Sequence, residues 1–180
     1  MMKSFFISII LCACLAVPSV PSYAAQQAGF AGPRAVVREY LRRDFNGEFT
    51  SAKGRNNFQR LTVWEQVPNG TETVVVRSHR IVGERLGKDR TVIKVHYDSL
   101  GSVFDSEEGY VLRRTANSRP IVHFELALTQ GVWKIVAPHM PPHVSLSFAL
   151  VQYSAKDSVC RPPKKCMTHR TLEQLKRVAK

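Results

Sequence analysis

The residues best suited to chemistry are three histidines, two cysteines and a run of bases. His79, His96 and His123 fall in three alternating segments that read as strands. Asp98 follows His96 by two, and Glu125 follows His123 by two, so each acid shares its histidine's face. Imidazoles and carboxylates gathered in this way are a ligand set for zinc or copper. A competing pattern runs through the same strand. Ile93, Val95 and Tyr97 make the more apolar face, which turns Lys94, His96 and Asp98 outward. No metal or other cofactor is therefore expected. Neither a Ser-His-Asp arrangement nor a glycine-rich phosphate loop is present in the sequence.

Cys160 and Cys166 stand in Cys-Arg-Pro-Pro-Lys-Lys-Cys. A zinc site there would recruit His169 but lacks a fourth nearby ligand. An intramolecular disulfide suits the pair if the chain is exported. Such a ring would hold Arg161, Lys164 and Lys165 together, with Lys176 and Arg177 following. Residues 156–180 carry eight bases and two acids, a net +6. These bases are candidate contacts for an anionic partner, a lipid headgroup or an envelope polymer. The plainer alternative is a solvated, solubilising tail.

Export is what the N-terminus predicts. Lys3 is a basic lead, Phe5 to Val17 an apolar run of 13, and Ser22-Tyr23-Ala24 a small-residue cleavage site. Thirteen apolar residues are too few for a spanning helix, which needs about 20. Residues 1–24 are thus read as a signal peptide, and the mature chain as secreted or periplasmic. Cleavage removes Cys12 and Cys14 and leaves 156 of the 180 residues. It also leaves 25 bases against 14 acids, a net +11, more than half of it in the last 25 residues. Nucleic acid is not an expected partner in that compartment.

The elements that would position these groups follow from periodicity. Residues 25–32 form a flexible lead. Pro33 suits a first helical turn, and Val37, Leu41 and Phe45 make one apolar stripe that ends at Asn46-Gly47. A second, weaker helix is predicted over 50–66, with Phe58, Leu61 and Trp64 on one side. The pattern then alternates. Strands are predicted over 73–85 and 90–98 as a hairpin, followed by an acidic loop over 101–109. Further strands are predicted over 110–114, 120–129 and 132–137, the last two joined at Gln130-Gly131. Val144–Tyr153 is apolar and fits either strand or helix. Thr171 and Gln174 have capping-box spacing, and Leu172, Leu175 and Val178 make a short amphipathic helix. Helices first and an antiparallel sheet after them is an α+β order.

The opening helix, Val37-Arg38-Glu39-Tyr40-Leu41 closing on Asn46-Gly47-Glu48, is one of two local patterns that resemble a known superfamily. The other is the final hairpin, Val122-His123-Phe124-Glu125-Leu126 through Gln130-Gly131-Val132-Trp133-Lys134-Ile135. Together with the element order they resemble the nuclear-transport-factor-2-like superfamily, the cystatin-like α+β cones. The resemblance implies N-terminal helices packed in the concavity of a curved antiparallel sheet, over residues 33–153. Residues 154–180 would be a basic C-terminal tail with a short helix. It also implies a pocket at the open end and homodimers through the outer face of the sheet. In isomerase-like members a helix-1 tyrosine and a strand acid polarise a carbonyl, and a second-helix aspartate acts as base. Tyr40 falls at the tyrosine position, His123 replaces the acid, and Glu65 is the carboxylate nearest the base. With one of the three positions altered and another without a clear match, the expectation is a non-enzymatic binding or assembly protein. A small-molecule enzyme with Tyr40 and His123 in the pocket is the alternative, and an envelope-associated protein held by its basic tail is a third.

Overall fold

The computed structural model describes residues 31–51, 54–68, 71–106, 109–113, 120–157 and 167–179. Residues 1–24, expected to be a signal peptide, most of the expected lead, and Cys160, Arg161, Lys164, Lys165 and Cys166 lie outside the described residues.

Helix α1 (Pro33–Phe45) places its proline in the first turn, where a missing N–H costs nothing, and buries Val36, Val37, Tyr40, Leu41 and Asp44. Gly47 ends it at φ 71, with its N–H on the Asp44 carbonyl at 2.8 Å. A Cβ at Gly47 would lie 2.2 Å from the Phe148 ring, so only glycine fits there. A 3₁₀ turn, Glu48–Thr50, leads to α2 (Gly54–Leu61), shorter than the predicted 50–66. The helix stops because Thr62 and Val63 turn to the sheet. Thr62 bridges to Ile135, and the Val63 N–H reaches the Ile135 carbonyl at 3.1 Å. That segment covers an edge strand which would otherwise expose unpaired backbone.

The strands are β1 (Glu72–Arg85), β2 (Arg90–Ser106), β3 (Gly109–Arg113), β4 (Ile121–Thr129), β5 (Val132–Ala137) and β6 (His143–Ser145). Their order is β5-β4-β2-β1-β6, with β3 also pairing β2. The α+β class is as predicted, with a strongly curled sheet and α1 and α2 packed on its apolar face. Two features differ. The sheet is mixed, because β6 runs parallel to β1. Residues 101–106, predicted as loop, continue β2 and pair with both β1 and β3. Ser102, Val103 and Phe104 pair on both sides and Gly101 with β1 alone, which gives this mostly buried backbone its partners, while Asp105 stays exposed.

The chain after β5 forms a second layer. The ambiguous segment resolves into both forms, strand β6 and then helix α3 (Leu146–Asp157), which continues past residue 153. Helix α4 (Met167–Ala179) follows. Val76 belongs to a core with α1, α2, Ile93, Phe124 and Ile135. Its neighbour Val75 belongs to another, with Leu112, Ala149, Tyr153 and Leu175. Strand β1 is therefore covered on both faces at this end. Thr171 does not cap α4, which begins a turn earlier. Its hydroxyl accepts the Leu112 N–H at 3.2 Å and donates to the Tyr110 carbonyl, tying the helix to β3. Lys156 is likewise engaged, bonding the Tyr110 hydroxyl and lying over that ring. No helix among the described residues is long and apolar enough to cross a membrane.

Candidate functional site

The most unusual group in the fold is a buried carboxyl. Asp44 lies one turn beyond Tyr40 on α1, on the face turned to the sheet, and is 1% exposed. One oxygen accepts the His143 backbone N–H at 3.0 Å, and the other has no partner among the described residues. Burial pushes its pKa well above the usual carboxylate range, with the His143 bond opposing. Its place in the last turn of α1, at the negative end of the helix dipole, disfavours the anion further. Burial and the helix dipole together favour its protonated form.

Around it stand Tyr40, Tyr97 and His143. The Tyr97 hydroxyl is buried without a partner among the described residues. Burial raises both tyrosines well above their ordinary value, and Asp44 would add to the shift when ionised. The His143 ring lies 4.5 Å from that of Tyr97. Its Nδ1 is 2.8 Å from the Pro141 carbonyl, which can only accept, so Nδ1 carries the proton. Burial brings the His143 pKa down to about 4 although that bond opposes it. His79 pairs with Tyr97 across β1 and β2, stacks edge-on to Phe45 at 5.1 Å, and is lowered by burial as well.

A neutral acid beside phenols in an apolar site can donate hydrogen bonds to a developing oxyanion. Here the space is filled. Tyr40 packs against Phe49, Phe58 and Phe124 at centroid distances of 5.2, 6.3 and 5.5 Å. Tyr40, Asp44 and Tyr97 are each 2% exposed or less, so a substrate would have to displace packed rings.

No known family, curated protein or solved structure matches this chain.

The structure separates most of the residues singled out from sequence. Tyr40 touches Phe124, whereas His123, next along β4, is exposed opposite Lys94 on the other face. The proposed carbonyl-polarising pair is therefore not assembled. Glu65 is exposed beyond α2. The three histidines also divide. His79 shares the inner face with Tyr97, while His96 and His123 lie outside, diagonal neighbours across β2 and β4. Among the described residues no group of three or more potential ligands gathers. On α4, Lys176 pairs with Glu173 at 2.9 Å and Arg177 is exposed. Trp64 and Trp133 both pack against the first core.

Sequence reasoning passed over Asp44 and His143. A signal existed for the first: an acid four residues after Tyr40 lies in phase with the apolar stripe of α1. His143 joins the group only through the parallel pairing of β6, a contact between distant segments.

Proposed function

We propose that the chain is an exported, non-catalytic binding or assembly protein of the nuclear-transport-factor-2-like cone type. The observation that carries this is the filled concavity. The aromatic rings of Tyr40, Phe49, Phe58 and Phe124 occupy the place where an enzyme of this shape would hold substrate. The proposed partner is a second copy, through the outer face around Ile121, which is 55% exposed beside His96. Sedimentation of the mature chain tests it. The expected result is a dimer that Ile121→Glu converts to a monomer with an unchanged melting temperature. A monomer at every concentration would overturn assembly through this face.

The enzyme reading keeps one observation in its favour, the buried Asp44 beside Tyr97. Following α-proton exchange of a panel of cyclic ketones by NMR distinguishes the two. Exchange above the buffer rate that is lost in Asp44→Asn would favour catalysis.

A further inference from the structure

We infer that a cleft at the β1–β2 hairpin end of the sheet binds a short apolar peptide as a zwitterion. The cleft has a volume of about 350 Å³, at the low end for small-molecule sites. Arg85, Val92 and Glu125 are successive partners across β1, β2 and β4. At a strand spacing of about 4.8 Å, the Arg85 and Glu125 backbones stand about 10 Å apart. Arg90 lies two residues before Val92 and so shares its face. Arg85 on β1 and Arg90 on β2 thus border one side and Glu125 on β4 the other, with Val92 between Arg85 and Glu125 and Val136 beyond Glu125 on β5.

None of these three charged side chains has an ion pair or hydrogen bond among the described residues. A guanidinium matches a carboxylate fork with two parallel N–H bonds. Glu125 calls for the opposite group, an ammonium. A dipeptide separates its ammonium and carboxylate by up to ~7 Å, at about 3.5 Å per residue, and the Arg and Glu side chains reach across the remainder. Its apolar side chains would cover Val92 and Val136. A free anion such as phosphate would leave Glu125 beside a negative charge.

The hairpin end is built to hold this arrangement. A Cβ on Gly87 would lie 2.4 Å from the Arg90 carbonyl oxygen, so glycine lets the turn close directly on Arg90. The hydroxyl of Thr91, 2% exposed, accepts the Gly87 N–H at 3.5 Å. The cleft is distinct from the proposed assembly surface, since Glu125 is four residues along β4 from Ile121, about 13 Å.

Titration calorimetry of the full mature chain with leucyl-leucine tests the inference. The comparison ligands are leucyl-leucine amide, N-acetyl-leucyl-leucine and inorganic phosphate. Leucyl-leucine is expected to bind, and each capped form to bind at least tenfold more weakly. The double variant Arg85→Gln, Arg90→Gln should no longer distinguish the acid from its amide. Glu125→Gln should no longer distinguish the free from the acetylated amine. All three positions are exposed, so melting temperatures should be unchanged. Absence of leucyl-leucine binding, equal binding of a capped form to the wild type, or binding of phosphate alone would each overturn the inference.

Discussion

Replacing Asp44 by Asn should stabilise the protein, and increasingly so as pH rises. Asp44 is fully buried with one hydrogen bond to its carboxyl, and its folded pKa is raised from 3.8. A raised carboxyl contributes stability that is complete below the unfolded pKa and is lost as pH climbs through the folded one. The loss runs at about 1.4 kcal/mol per pH unit. His143 acts in the opposite sense, because its pKa falls from 6.5 to about 4. Its contribution is complete above 6.5 and is lost as pH drops towards 4, at the same rate of about 1.4 kcal/mol per unit. His79 adds in the same direction as His143. Between about pH 4 and 6.5 the Asp44 slope opposes those of the two histidines. The wild type should gain less stability than the variant as pH rises through this range. Asp44→Asn, with the same shape and no charge, should rise to about pH 6.5 and then stay level. The gap between them should widen from about pH 4 at up to about 1.4 kcal/mol per unit and stop growing where the folded carboxyl ionises. Urea melts from pH 4 to 9 measure both curves. A variant less stable than the wild type throughout, or a constant gap, would show that Asp44 is an ionised group with a stabilising partner.

Three further substitutions test the framework. Thr171→Val keeps the side-chain shape and removes both bonds to β3, and should cost about 1–3 kcal/mol in urea unfolding. Gly47→Ala forces a left-handed φ on alanine and drives a methyl into Phe148, so about 2–4 kcal/mol should be lost and the melting temperature should fall. Glu39 is held at about 2, chiefly by its bond from Arg42 and also by Arg43. A depressed carboxyl stabilises above its unfolded pKa of 4.5 and loses that contribution as pH falls through 2. With Arg42 half exposed, Glu39→Gln should cost about 1 kcal/mol at pH 7 in denaturant melts, and the difference should vanish in strong acid.

Local periodicity made the helix stripe of α1 and the hairpins β1–β2 and β4–β5 legible, because each is decided by contacts close in sequence. It was less informative where distant segments meet. Residues 101–106 read as part of a loop, yet pairing with β1 and β3 keeps them extended. Thr171 has the spacing of a cap and instead serves an edge strand 59 residues away. The candidate site depends on such contacts most of all. Tyr40 and Asp44 come from one helix, but Tyr97 and His143 reach them only through strand order.

The Val74-Val75-Val76 run carried a signal that alternation obscured. Three successive β-branched residues mark a strand with no wet face. Val75 and Val76 are indeed both fully buried, one in each core. The second cover is α3 and α4, so the C-terminal helix is part of the fold, held by Leu172, Leu175 and Thr171. That cover lies over β3, β6 and the adjoining ends of β1 and β2. Beyond it, the outer face carries Lys94, His96, Ile121, His123 and Glu125, all exposed except the half-buried His96. A sheet curled around one core and capped behind at one end leaves a broad outer surface at the other. The proposed assembly surface and the peptide cleft both lie on that uncovered end. If the fold presents a surface to a partner, the uncovered half of β1, β2 and β4 is where substitutions should alter binding while leaving stability intact.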